Sequence, residues 1–269
     1  MSFSRRVEQA RRAFAKNDLD LSREAHDPRR IARAAEERHG GESSQYLGEM
    51  VYGGLDGIIT TFAVVSGVAG ADLGAQIVII LGMANLLADG FSMATGAFLS
   101  TKSEQEYYQQ EWKREAWEVE HFPEGERAEL YELYRQNGYD EQDAHQLVEI
   151  QSREPERWVK AMMVDELGML ADERKPLYSG GATLVSFILA GALPLLIYLI
   201  GLFTPIPDQV AFPISLALSG VALFGLGAAK VLVTRRNAFR SGLEMLLVGA
   251  LAAGVAYAVG ALLSGLGGG

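Results

Sequence analysis

Five apolar runs dominate the sequence, and each is long enough to cross a lipid bilayer as a helix. A spanning helix needs about 20 mostly apolar residues, because the hydrocarbon core is about 30 Å thick and each helical residue rises about 1.5 Å. No strand-like alternation of apolar and polar residues interrupts the pattern. We therefore predict an all-α membrane protein with five transmembrane helices, at about Met50–Ala71, Leu73–Leu99, Gly181–Phe203, Val210–Val233 and Gly242–Leu266.

The charged residues are concentrated between the second and third apolar runs. Residues 102–175 contain 20 acidic and 10 basic side chains, so the net charge of −10 lies in this segment. An acidic excess argues against nucleic acid as a partner and favours cations. The chain has no cysteine, so a metal site here must use carboxylate, imidazole, thioether or backbone ligands.

The second span runs into this acidic segment without a helix breaker, which predicts one long helix that continues through Glu104–Glu120. Three further helices are predicted at about Glu124–Gln136, from Asp140 to Arg153, and from Pro155 to Asp172. The chain then divides into an N-terminal segment (1–45), transmembrane helices 1 and 2 (46–100), a helical metal-binding domain that we call the insert (101–176), and transmembrane helices 3 to 5 (177–269).

The distribution of arginine predicts the orientation in the membrane. Residues 29–38 and the loop Arg235–Arg240 are rich in arginine, whereas the loops at Asp72 and Thr204–Gln209 contain no lysine or arginine. Short loops rich in lysine and arginine stay in the cytosol. We expect a cytosolic N-terminal segment and insert, and a C-terminus outside. The N-terminus lacks the apolar core of a secretory signal.

Two carboxylates, Asp56 and Asp89, lie inside the first two apolar runs, where a charge is costly and is often functional. Glu49 shares a helical face with Asp56, and Met93 follows Asp89 by four residues on the same face. These residues predict a polar path for a cation through the membrane. The alternative for Asp89 is a buried structural group with a hydrogen bond or a proton.

The insert carries three rows of candidate metal ligands. Like charges three or four residues apart destabilise a helix, and a bound cation would relieve that repulsion. Carboxylates alone suit Mg²⁺, Ca²⁺ or Mn²⁺, and an added thioether favours a softer first-row ion such as Fe²⁺. The alternative for each row is a solvated helix surface. The rows are Glu104, Glu111, Glu115 and Glu118; then Glu126 and Glu129; and then Met162, Glu166 and Met169.

Motifs of ATP binding, dinucleotide binding and serine nucleophiles are missing from the sequence. ATP-driven transport and hydrolysis therefore receive no support, and we do not expect an enzyme. Two alternatives to a transporter of Fe²⁺ stay open: a membrane-anchored iron store or sensor, and a Mn²⁺ or Ca²⁺ carrier of the same architecture.

Four segments resemble the vacuolar iron transporter family, and the likeness extends over about residues 46–266. They are Tyr52–Gly57, Ala88–Ala94, Ser100–Glu120 and Met162–Leu167. The resemblance implies a homodimer in the lipid bilayer that exports Fe²⁺, and in some members Mn²⁺, from the cytosol in exchange for protons. Zn²⁺ and Co²⁺ are further candidate ions.

Carried over by position, the resemblance assigns Asp56 and Met93 to the transport path. It assigns the metal ligands of the insert to Glu115, Glu118, Glu126, Glu129, Met162 and Glu166, and it supports Glu104 and Glu111 less well. The compact chain without an evident sorting tail favours a prokaryotic plasma membrane.

Overall fold

A computed structural model describes residues 5–28, 45–204, 206–229 and 237–264. All regular secondary structure in these residues is helical, which confirms the predicted all-α class. The elements are α1 Arg5–Lys16, α2 Leu19–Ala25, α3 Leu47–Gly70, α4 Ala75–His121, α5 Pro123–Gln136, α6 Glu141–Gln151, α7 Pro155–Ala161, a π-helical turn Met162–Glu166, α8 Pro176–Gly191, α9 Leu196–Gly201, α10 Asp208–Ala229 and α11 Ala238–Leu263.

Four helices within the described residues are long and apolar enough to cross a membrane: α3, α4, α10 and α11. They correspond to the first, second, fourth and fifth predicted spans. The third predicted span is divided into α8, with 16 residues, and α9, with 6. The turn between them contains Pro194, which lacks a backbone N–H and clashes with a preceding helical turn. The structure therefore gives four candidate spans where the sequence predicted five.

The arginines that predicted the orientation, at 29–38 and at 235 and 236, lie outside the described residues. Near the N-terminus, α1 and α2 form a helical hairpin. Asn17 turns the chain with a φ of 52°, and the side chain of Asp18 accepts hydrogen bonds from the first turn of α2. The side-chain amide of Gln9 donates a 2.9 Å hydrogen bond to Glu24 across the hairpin.

The chain forms two compact units, and the first combines the parts up to Ala97 and from Leu177 onward. In this unit α3 packs against α10 and α11. Glycine allows close approach to α8, because a Cβ atom at Gly57 would lie 2.4 Å from the carbonyl oxygen of Phe187. The apolar core includes Val65, Leu86 and Phe187. Small residues that bring helix backbones together are typical of membrane helix packing.

The second unit, Phe98–Pro176, is called the insert unit below. It contains the C-terminal part of α4, then α5, α6, α7 and the π-helical turn, around a core that includes Leu130, Trp158 and Met162. Pro123 and Pro155 begin their helices, and the Asp140 side chain accepts a 2.8 Å hydrogen bond from the backbone N–H of Asp143. These helix starts lie where the sequence predicted them.

One helix boundary in this unit was predicted wrongly. The fourth helix was expected to reach Asp172, but α-helical geometry ends at Ala161 and the π-helical turn ends at Glu166. Gly168 then has a φ of 63°, in the left-handed region that glycine adopts without strain, so the helix cannot continue there. Both Met162 and Met163 are completely buried in this region.

Candidate metal site

Three carboxylates of the insert unit converge on one point. Glu115 and Glu118 are three residues apart on α4 and therefore share a helical face. Glu126 lies in the first turn of α5, which begins directly after the chain leaves α4 and turns at Phe122. One oxygen from each of the three carboxylates lies within 4.8 Å of the others. The turn between the helices thus joins two of the rows predicted from the sequence.

Two of these carboxylates are removed from water. The exposed fraction is 1% for Glu115 and 5% for Glu126. The Oε2 atom of each is buried without a hydrogen-bond partner. A buried charged oxygen is costly unless it is paired or binds a metal. Three converging carboxylates, two of them with an unpartnered buried oxygen, therefore form a donor set that suits a hard or borderline divalent cation.

Burial and the repulsion of nearby carboxylates make Glu115 and Glu126 weaker acids than ordinary glutamates. Burial, and then the charge of Glu166, raises the pKa of Glu115 from 4.5 to about 7. Burial, and then the charge of Glu115, raises the pKa of Glu126 to about 7 as well. A bound divalent cation would favour the ionised forms, so near neutral pH protons and metal compete for the same oxygens.

Two more predicted ligands lie within electrostatic range of this group. The pKa of Glu166 is raised, first by partial removal from water and then by Glu129, although both side chains are exposed at the surface. The π-helical turn that carries Glu166 and Met162 contacts α5, which carries Glu129. Met162 itself is completely buried in the core of the insert unit.

One basic side chain contacts the carboxylate group directly. The guanidinium of Arg114 donates from Nη2 to Glu115 and from Nη1 to Glu118. Its Nε donates to Glu111 at 2.9 Å. These three carboxylates raise the pKa of Arg114 above its ordinary value, so the guanidinium is always charged. Positive charge is therefore already present at the site.

The remaining predicted ligands of the insert have other partners. Glu104 pairs with Arg174 at 3.2 Å and accepts a hydrogen bond from the hydroxyl of Ser100 at 3.1 Å. It lies 11 residues before Glu115 on α4, or about 16 Å along the helix axis. Glu111 binds Arg114. Neither Glu104 nor Glu111 belongs to the group of three converging carboxylates.

In the transmembrane unit the structure brings Asp56 and Asp89 close enough to interact electrostatically. Both aspartates are half-buried, and Glu49 is half-buried in the first turn of α3. Met93 packs against the apolar core of this unit. The two aspartates predicted on separate helices thus lie within electrostatic range of each other.

Arg114 is the residue of this site that the sequence argument missed. Its position offered a signal, because Glu111 and Glu118 lie three residues before and four residues after it on α4. The row of like charges predicted from the sequence includes these glutamates and leaves out the arginine between them. The meeting of α4 and α5 could not be read from helical spacing, because it depends on the turn at Phe122.

Comparison with known proteins shows the family to which the chain belongs. The sequence model of the VIT family matches residues 47–261, which include the transmembrane helices and the insert. The chain belongs to the VIT family.

Named relatives cover most of the chain. A vacuolar iron transporter from Toxoplasma gondii is 36% identical over 96% of this chain and 89% of its own length. One from Plasmodium falciparum is 33% identical and covers 97% of both chains. Vacuolar iron transporter 1 from Arabidopsis thaliana is 32% identical over 80% of this chain and 85% of its own. The resemblance predicted from the motifs is therefore confirmed.

The VIT family consists of membrane transporters and not of enzymes, as the sequence predicted. With its long apolar helices, the chain is an integral membrane protein. These three relatives are eukaryotic proteins, and two of them come from parasites and one from a plant. They do not support the expectation of a prokaryotic plasma membrane.

Proposed function

We propose that this VIT family protein transports Fe²⁺ out of the cytosol in exchange for protons. Three observations support the proposal: the converging carboxylates of the insert unit, the electrostatic interaction between Asp56 and Asp89, and relatives named as iron transporters. The single observation that carries most weight is the buried, unpartnered oxygen on each of Glu115 and Glu126. When these carboxyl groups are ionised, a divalent cation would satisfy the unpartnered oxygens.

The insert captures the ion in this proposal. Glu115, Glu118 and Glu126 form the primary ligand set. Glu129, Met162 and Glu166 complete it, since the π-helical turn contacts α5 and the charge of Glu166 acts on Glu115. The thioether of Met162 favours Fe²⁺ over Ca²⁺, because a softer ligand prefers a first-row transition metal. Mn²⁺, Zn²⁺ and Co²⁺ are further ions that this ligand set would accept.

The transport path begins from the intramembrane carboxylates. Asp56 and Asp89 provide the charge that the ion needs in hydrocarbon, with Met93 and Glu49 as further ligands on the same helices. We propose that two protomers form a homodimer with the path between them. We also propose that α8 and α9 together make a fifth, broken span. The N-terminal segment and the insert then lie in the cytosol, and the C-terminus lies outside.

Proton exchange follows from competition at carboxylates. A carboxyl group with a pKa of about 7, as on Glu115 and Glu126, releases its proton when a divalent ion binds and recovers it when the ion leaves. The insert faces only the cytosol in this proposal, so the exchange across the membrane is assigned to Asp56 and Asp89 in the path. Protons that return inward would neutralise these carboxylates and release the metal outside.

The decisive experiment is uptake of Fe²⁺, Mn²⁺ and Ca²⁺ into proteoliposomes with and without a pH gradient. We expect Fe²⁺ uptake with counterflow of protons in the wild-type protein and none in Asp56→Asn. The matched control is Asp72→Asn, which makes the same change in a turn where φ is 56° and asparagine is tolerated. Unchanged Fe²⁺ flux in Asp56→Asn would contradict the proposed path.

A membrane-anchored iron store or sensor is the second candidate, because the three converging carboxylates all lie within the insert unit. A Mn²⁺ or Ca²⁺ carrier is the third, because carboxylates alone prefer those ions. Binding of Fe²⁺ without any uptake would favour the store. Uptake of Ca²⁺ in preference to Fe²⁺ would favour the carrier.

A further inference from the structure

Arg114 makes its contacts with the carboxylates that we propose as metal ligands. Its Nη1 and Nη2 groups donate to Glu118 and Glu115, and those two side chains supply two of the three converging carboxylates. A guanidinium has up to five N–H donors in a fixed fork that matches carboxylate geometry. The arrangement is therefore a specific ion-pair network within the group.

Arginine and a divalent cation oppose each other at this site. Each would neutralise the same carboxylates, Glu115 and Glu118, and two positive charges a few ångströms apart repel strongly where water is scarce. Glu115 is 1% exposed, so water screens this repulsion poorly. Arg114 donates to Oε1 of Glu115, whereas Oε2 of the same carboxylate is buried without a partner. Tight binding of a metal by this carboxylate therefore favours departure of Arg114 from Oε1.

The structure also provides a place for the displaced guanidinium. Glu111 accepts from Nε of Arg114 at 2.9 Å and lies outside the converging group. The Arg114 side chain is 40% exposed, so its charged end can turn into water while it stays paired with Glu111. Displacement therefore leaves no buried unpaired charge.

We propose that Arg114 is an internal counter-cation of the metal site, which occupies Glu115 and Glu118 when no metal is bound and competes with the incoming divalent ion. This inference rests on the proposed metal site. The competition weakens metal binding and speeds release, which suits a protein that must pass its ion on. Glu111 acts as the anchor of the arginine and not as a metal ligand.

The test compares metal affinity in two variants that remove the same charge one residue apart. Full-length protein in detergent is titrated with Mn²⁺ in a calorimeter, and with Fe²⁺ under anaerobic conditions. Arg114→Gln should lower the Kd at least about tenfold and slow dissociation of the metal. Lys113→Gln is the matched control, since Lys113 is exposed on the same helix, and it should change the Kd less than about threefold.

A merely structural role for Arg114 gives the opposite result, because loss of a supporting contact weakens binding. Unchanged or weaker affinity in Arg114→Gln, beside a wild-type protein that binds Mn²⁺, would overturn the inference. A wild-type protein that does not bind Mn²⁺ or Fe²⁺ at the carboxylates would instead refute the proposed function. The two failures are thus distinct.

A second variant covers the case in which Arg114→Gln does not fold. Arg114→Lys keeps the charge but replaces the planar fork by a single ammonium, which cannot hold three carboxylates at once. We expect an affinity between those of the wild-type protein and Arg114→Gln. An affinity in Arg114→Lys equal to or below that of the wild type would contradict the role of the fork.

Discussion

Glu115→Gln should stabilise the metal-free insert unit at alkaline pH while it abolishes metal binding. The Glu115 carboxyl is buried and has a pKa raised from 4.5 to about 7. A carboxyl with a raised pKa in the folded state holds its proton more tightly there than in the unfolded chain. Its contribution to stability is therefore fully present below pH 4.5 and is lost as the pH rises through about 7.

The magnitude follows from the two pKa values. A difference between 4.5 and about 7 corresponds to about 3 kcal/mol, at about 1.4 kcal/mol for each pKa unit. The ion pair with Arg114 opposes this cost, but burial and Glu166 outweigh it. Glutamine has nearly the same shape and no charge to bury. The variant should thus gain up to about 3 kcal/mol over the wild type at pH 8 and little at pH 5.

The chain provides its own probe for this measurement. All 3 tryptophans, at positions 112, 117 and 158, lie in the insert unit, so intrinsic fluorescence during heating reports on this unit. For a domain of this size, 1 kcal/mol shifts the Tm by about 4–8 °C. We expect Glu115→Gln to raise the metal-free transition by on the order of 10 °C at pH 8. Added Mn²⁺ should then raise the Tm of the wild type alone.

The control is Glu132→Gln, which makes the same change at an exposed position of α5. It should leave the transition within about 2 °C at both pH values, because exposed substitutions change stability by less than about 0.5 kcal/mol. A Tm of Glu115→Gln at or below that of the wild type at pH 8, without metal, would refute the argument from burial.

Two further predictions concern packing and ligand type. Gly57→Ala should destabilise the transmembrane unit by about 1–3 kcal/mol, because the added Cβ atom would lie 2.4 Å from the carbonyl oxygen of Phe187. Gly48→Ala is the control, because nothing lies within 4 Å of the added Cβ atom. The stability of both variants is measured as the aggregation temperature in detergent. Met162→Leu should lower the free energy of unfolding by less than about 1.5 kcal/mol, because it conserves volume in a completely buried position. Loss of the thioether should lower the affinity for Fe²⁺ more than that for Ca²⁺, and equal losses in a competition titration would remove Met162 from the ligand set.

The sequence indicated local features well. Apolar length predicted four of the observed helices, and proline and aspartate predicted where α5, α6 and α7 begin, because these signals act within one helical turn. The predicted third span was divided at Pro194, and the last helix of the insert was predicted too long. A proline or a left-handed glycine is visible in the sequence, but only the surrounding packing decides whether the chain bends there or continues.

The candidate metal site also combines features that the sequence predicts with features that only the folded structure reveals. Helical spacing places Glu115 and Glu118 on one face of α4, so the sequence alone could bring together two of the three converging carboxylates. It could not show that Glu126 reaches that face from another helix, nor that Glu104 pairs with Arg174 instead. Both results depend on distances between residues of different segments, and the spacing of residues along one helix does not give those distances.

The membrane character of this protein, its acidic insert and its family were determined by the sequence itself, because hydrophobic length, charge and motif order are properties of the chain. The tertiary structure decided which glutamates converge, which are buried, and which basic side chain holds them. Burial sets the electrostatic cost of a carboxylate, and it arises only when separate helices pack together. For that reason the weakly acidic group around Glu115, and the role inferred for Arg114, emerged only from the folded structure.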